Sequence, residues 1–392
     1  MNRHDIDLEA YPVVFAEPPV PDGFRDVYGG AGELVVLESY RYTPVDHPSD
    51  TVIVFMHPIG GGVYLPMVRA LARAGHHVIY CNSRYRGVDS ALIMEKVVLD
   101  LGACVRDATE RLGYHNVVLG GWSGGGSLSM FYQQQAERPT ITTTPAGDPV
   151  NLVNAGLIPA VAVLQLAAHI SRHGTLTEWL DPSVLDESDP AARDLELDLY
   201  DPANPHQPPY DTDFLERFAA AQIARNRRIT AWVTDELAAL QAAGRPADER
   251  AFVVHGTMAD PRWLDATIDP SDRTPGVCYL GDPAVVNNSP VGLARFASLR
   301  SWLSQWSYDH ARGDSIVAGG ETSVPVLVVS NSADDACTPS HSQRMFDAVA
   351  HPDKTLHVVH GANHYYLGPD QAPMLDEAVT TVSTWLADRG WA

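Results

Sequence analysis

The chain has 392 residues, 45% hydrophobic and 19% charged, so it carries enough apolar material for a core larger than that of one small domain. Its 49 acidic residues against 27 basic ones leave a formal charge of −22, a field that repels phosphate backbones and anionic lipid surfaces and argues against nucleic-acid or membrane partners. No 18-residue apolar run occurs, and the opening MNRHDIDLEAYPVV lacks the apolar stretch of a signal peptide, so a soluble, cytoplasmic protein is expected.

Along the chain, Glu33–Pro44 has the alternation of a half-buried strand and is expected at the periphery, antiparallel. Thr51–Met56 (TVIVFM) is then a short apolar run suited to a strand buried on both faces. A glycine-rich turn follows, then a helix over Tyr64–Ala74 stopped at Gly75, and a strand at His77–Cys81. Val98, Leu101, Val105, Ala108 and Leu112 recur at steps of three and four and make one buried helical stripe. Asn116–Leu119 is the next strand and runs directly into GGWSGGGS; Pro159–Leu166 is another. Strands alternating with helices of this length imply βαβ units and a parallel sheet.

From about Ala168 to Thr322 that rhythm is lost. This stretch holds the proline-rich Asp198–Thr212 and a long helix from Asp213 to about Ala243, whose apolar face breaks at Arg225-Asn226-Arg227-Arg228. Those arginines are read as a solvated helix face rather than a site for a substrate carboxylate. Trp302, Trp306 and Tyr308 fall in a second helical candidate. Strands return at Val324–Ser330 and Thr355–Val359, and a helix from about Ala372 to Asp388 closes the chain. The expected organisation is a core in two segments, 1–167 and 323–392, interrupted by an insertion over 168–322.

The chemistry concentrates at Gly121-Trp122-Ser123-Gly124-Gly125, which fits G-x-S-x-G at a strand-to-helix junction. A strand turning sharply into a helix leaves no room for bulk beside the turn residue, and a serine placed there presents its hydroxyl above the sheet edge. A serine needs a base. Of 16 histidines, His364 in Gly361-Ala362-Asn363-His364 follows the last strand and emerges at the same edge; His357 and His360 lie within or near that strand and read as structural. For the acid, Asp334 follows the strand VPVLVVS; Asp335 and Asp260 are the alternatives, either of which also fits a turn or helix-capping aspartate. The oxyanion donors are expected from Gly124 and from the loop His57-Pro58-Ile59-Gly60-Gly61-Gly62. There Pro58 has no N–H, so Ile59 leads and Gly60 stands behind it. That loop lacks both G-K-[ST] and G-x-G-x-x-G, which argues against a phosphate cradle. Cys81, Cys104, Cys278 and Cys337 show no CxxC spacing, so free thiols are expected, with no metal and no disulfide.

Together HPIGGG, LARAGHHVIYCNSRYRGVDS, GGWSGG, the aspartate loop and GANH resemble an α/β-hydrolase over roughly Thr51–Leu166 and Val324–Leu386. The resemblance implies an eight-stranded, mostly parallel sheet, a mainly helical cap inserted after the sixth strand, and no cofactor. It also implies Ser123, Asp334 and His364 as catalytic triad with Ile59 and Gly124 as oxyanion donors. Pro58 departs from the family's usual glycine. The expected reaction is hydrolysis of a small to medium, apolar or aromatic carboxylic ester, lactones and thioesters included, with Trp122, Tyr365, Trp302 and Trp306 lining the pocket. The homoserine acyltransferase branch makes acyl transfer the alternative. A non-catalytic ligand-binding protein of the same fold is a further one, though such proteins typically lose a triad member.

Overall fold

The computed structural model describes residues 3–17 and 33–391; residues 1, 2, 18–32 and 392, parts of the expected core segments, lie outside it. Eight strands form the central sheet: β1 (Ile6–Ala16), β2 (Leu34–Pro44), β3 (Thr51–Phe55), β4 (His77–Cys81), β5 (Asn116–Ser123), β6 (Ala162–Ala168), β7 (Val326–Asn331) and β8 (Lys354–Val359). Their spatial order is β1-β2-β4-β3-β5-β6-β7-β8. β2 is antiparallel to both of its neighbours, and the pairs from β4 through β8 are all parallel.

The period of two along each strand sorts the apolar runs onto two cores. Val52 and Val54 of β3, with Val117 and Leu119 of β5, face α2 (Met94–Arg106) and α3 (Gly124–Glu137). Ile53, Phe55 and Val118 face the other way, toward α1 (Pro66–Arg73) and the closing helix Ala372–Ala387. A strand buried on both faces has no polar side to display, which is why these segments read as continuous apolar runs. β1 was not expected. It is an edge strand whose side chains are largely exposed on both faces, so it lacks a hydrophobic signature.

The cap lies between β6 and β7. It contains α4 (Arg172–Trp179), a hairpin of Val184–Asp186 with Asp189–Arg193, and the 31-residue α5 (Thr212–Ala242). A strand pair, Ala251–Val253 with Phe296–Ser298, and a helical turn through Trp302–Trp306 follow. Asp211 caps α5 by accepting the Phe214 N–H at 2.8 Å. The Arg-Asn-Arg-Arg break corrects its reading as a wholly solvated face. Arg225 is buried and donates to Glu187 and to the carbonyls of Asp181, Gly256 and His255, and Asn226 is buried on the Trp306 carbonyl. Arg227, in an exposed pair with Asp309, and the exposed Arg228, paired with Glu187, fit the solvated reading.

Cys81 is joined to Cys104 in a disulfide between β4 and α2, which corrects the expectation of four free thiols. The pairing is made by strand–helix packing across 23 residues, so no local spacing announces it. It also withdraws the support that the cysteines lent to a reducing compartment. Cys278 and Cys337 are free and buried. No described helix is long and apolar enough to cross a membrane.

Candidate active site

β5 hands over to α3 at Ser123, whose φ of 54° and ψ of −128° are strained for an L-residue. The flanking glycines are sterically required. A Cβ on Gly121 would stand 2.6 Å from the Gly126 Cα, and one on Gly125 2.6 Å from the Met56 carbonyl oxygen. Opposite this turn β6 bulges: Trp122 pairs with Leu166 and Ser123 with Ala168, leaving Ala167 at a φ of 43°. The His169 N–H donates to the Ser123 carbonyl at 3.0 Å, so the loop after β6 is drawn toward the serine.

His364 is brought to Ser123 from the loop after β8. Its Nε2 lies 3.2 Å from the Ser123 Oγ, and its Nδ1 lies 2.7 Å from Asp334 Oδ2. The other Asp334 oxygen accepts the N–H groups of Ala336 and Cys337, both at 2.8 Å. With Nδ1–H committed to the carboxylate, Nε2 faces the serine hydroxyl as an acceptor. The Trp122 indole N–H donates to the His364 carbonyl at 3.0 Å, and its ring packs 4.7 Å from the imidazole. All three polar side chains are buried.

The rival acids sit elsewhere in the network. Asp260 caps the short helix Pro261–Leu264 and pairs with Arg262. Asp335 neighbours Asp334 without bonding His364; burial and the Asp334 charge push its carboxyl up to about 7. Within the loop after β3, the Ile59 N–H donates to His57 Nδ1 at 3.3 Å and the Gly60 N–H to the His57 carbonyl at 2.7 Å. Gly124 opens α3, so its N–H has no intrahelical acceptor and stands at the positive end of the helix.

A small cavity of about 150 Å³ contains Ser123 and His364. Of the expected aromatics, Trp122, Tyr365 and Trp306 line it, and so does Trp179 of the insertion. Trp302 does not: it is buried in the cap core, its indole N–H donating to Thr230 Oγ1 at 2.9 Å. The face of the turn that packs on α5 takes Trp302 away from the serine. Reading for pocket residues missed His169, Arg172, Tyr279 and Leu293, which also line the cavity. His169 and Arg172 follow β6 directly, and their place at the carboxyl edge of a central strand was the available signal. Burial holds His57 down at about 3 and His169 well below the usual imidazole value.

Among the described residues one group of His, Cys, Asp and Glu side chains is tight enough to hold a metal ion: Asp334, Cys337 and His364. There the His364–Asp334 hydrogen bond already engages two of the three donors, and burial pushes the Cys337 thiol up and keeps it protonated.

The strand order, the single antiparallel β2, and the serine, aspartate and histidine turns after β5, β7 and β8 decide the architecture. This is the α/β-hydrolase fold. No family model matches the sequence, and no curated protein matches it. Among solved structures the chain is similar to a siderophore hydrolase from Aspergillus fumigatus, at 15% identity and TM-score 0.48 over 90% of this chain and 94% of that one. It is also similar to a monoacylglycerol lipase from Paleococcus ferrophilus, at 14% identity and TM-score 0.45 over 90% and 98%. A third is a bacterial brefeldin A esterase, at 16% identity and TM-score 0.44 over 99% and 78%. At these levels no residue role is carried across.

Proposed function

We propose that the protein is a serine hydrolase that cleaves a small carboxylic ester through an acyl-enzyme, with residues 168–322 acting as a cap over the site. The observation that carries this reading is the unbroken hydrogen-bonded chain from Ser123 through His364 to Asp334, set at a strained glycine-flanked turn that lines a small cavity.

In this reading His364 Nε2 takes the Ser123 proton as the hydroxyl oxygen attacks the ester carbonyl, and Asp334 stabilises the imidazolium that forms. The oxyanion develops beside the Gly124 N–H at the start of α3, where the helix dipole favours negative charge. His364 then protonates the departing alcohol, and a water molecule activated by the same imidazole releases the acid. The cavity favours the small end of the expected substrate range: 150 Å³ is below the roughly 300–1,000 Å³ of pockets for drug-sized ligands.

The test is labelling of the purified protein with a fluorophosphonate, read by intact mass, beside Ser123→Ala. One adduct on the wild type, none on the variant, and turnover of p-nitrophenyl acetate by the wild type alone is the expected result. A folded wild type that neither labels nor turns over the ester would refute the reading.

A further inference from the structure

Three backbone donors of the loop after β3 are engaged within the protein. Besides the Ile59 and Gly60 bonds, the Gly61 N–H donates to Asn82 Oδ1 at 2.7 Å. With Ile59, Gly60 and Gly61 engaged, Gly124 is the backbone donor assigned to the oxyanion, and a tetrahedral oxyanion is ordinarily met by more than one donor. The Ile59 bond has a consequence for His57. Because Nδ1 accepts from Ile59, a neutral His57 imidazole carries its hydrogen on Nε2. Burial, with Arg172 and His364 nearby, keeps that imidazole neutral.

The side of His57 that bears this hydrogen faces Gly124. Nε2 lies 3.0 Å from the point a Cβ on Gly124 would occupy, and Arg172 Nη1 lies 3.5 Å from the same point. Both side chains line the cavity with Ser123. Arg172 is only 6% exposed and is held rigidly: its Nε donates to Gln305 at 2.9 Å, its Nη2 to Asp89 at 3.0 Å, and its Cζ lies 4.3 Å from the Trp306 ring centroid. Nη1 has no hydrogen-bond partner among the described residues, so a fixed positive group points at the corner where His57 and Gly124 meet.

We infer that the His57 Nε2–H is the second oxyanion donor, acting beside the Gly124 N–H, with Arg172 holding positive charge at the same corner and Ile59 fixing the tautomer. The inference rests on the acyl-enzyme reading above. On attack by Ser123 the carbonyl π pair moves onto oxygen and is met by two N–H donors; His57 keeps its proton. When the intermediate collapses, the pair re-forms the carbonyl as the C–O bond to the alcohol breaks, and that alcohol takes its proton from His364.

The experiment measures steady-state hydrolysis of p-nitrophenyl acetate, fluorophosphonate labelling and thermal unfolding for wild type, His57→Ala, His57→Gln and His57→Asn. His57→Ala should lower kcat by about 10²–10³-fold, with KM changed by less than about threefold, and still label slowly at Ser123. Gln carries an amide N–H near the imidazole Nε2 position and Asn does not reach it, so His57→Gln should exceed His57→Asn by at least about tenfold in kcat. That comparison decides the matter even if the alanine variant fails to fold. Equal rates for Gln and Asn, or a folded His57→Ala with wild-type kcat, would overturn the inference while leaving labelling of the wild type intact. Absence of wild-type labelling would instead remove the underlying acyl-enzyme reading.

Discussion

Asp334 and Asp335 are adjacent in sequence and meet opposite surroundings. Asp334 accepts three N–H donors across its two oxygens. Asp335 is pushed up to about 7, first by burial and then by the Asp334 charge. The unfolded chain releases the Asp335 proton near pH 3.9, so between about pH 4 and 7 the folded state binds the extra proton and this group's contribution to stability falls as pH rises. Above about 7 the cost of holding a buried second charge is fully present. Asp335→Asn keeps the shape without the charge. It should therefore raise the unfolding temperature most at pH 8, less at pH 6, and almost not at all at pH 4. Thermal scans at those three values check this; a gain that does not grow with pH would place the strain elsewhere. A sequence shows two aspartates in a loop, and only the direction of each carboxylate separates them.

Elements whose burial follows a simple period were legible in the sequence. The β3 run TVIVFM and the helix that closes the chain fall within a residue or two of their expected positions, because burial on both faces, or on one helical stripe, leaves a pattern. The serine turn was legible for a different reason: its glycines answer clashes that any Cβ would make. β1 was hidden because an exposed edge needs no apolar period. The centre of α5 was misread because a buried arginine with enough carbonyl partners looks, in sequence, like a solvated one. That misreading has an energetic consequence. Arg225 ties α5 to three backbone carbonyls and to Glu187, a salt bridge in which the arginine is almost fully buried. Arg225→Met strips those acceptors of their donor, and breaking a buried network of this kind costs about 3 kcal/mol. Chemical denaturation should show that loss, where Arg227→Met, whose exposed pair with Asp309 is screened by solvent, should leave the midpoint nearly unchanged.

For the molecule as a whole, the parallel sheet and the cap divide the work between them. Parallel strands share a carboxyl edge, so loops far apart in sequence deliver His57, Ser123, Arg172, Asp334 and His364 to one place. From the insertion, Trp179, Tyr279, Leu293 and Trp306 line the cavity of about 150 Å³ at that edge. If the proposed chemistry is carried out there, the cap rather than the serine turn sets substrate size. Short acyl esters should then be preferred, with kcat/KM falling steeply along a p-nitrophenyl series from acetate to octanoate. Leu293 is the wall residue to change, since it takes no part in the hydrogen-bonded chain and packs as a partly buried side chain on one cluster within the cap and on one that the cap shares with the loop after β7. Leu293→Ala should open room for further methylenes, each worth about 1–3 kcal/mol of discrimination in a hydrophobic pocket. Its kcat/KM for butanoate or hexanoate should rise by about tenfold over wild type, while the value for acetate stays within about twofold. A uniform change along the series would mean that the acyl chain lies against another wall, and the same measurement on Tyr279→Ala would then locate it.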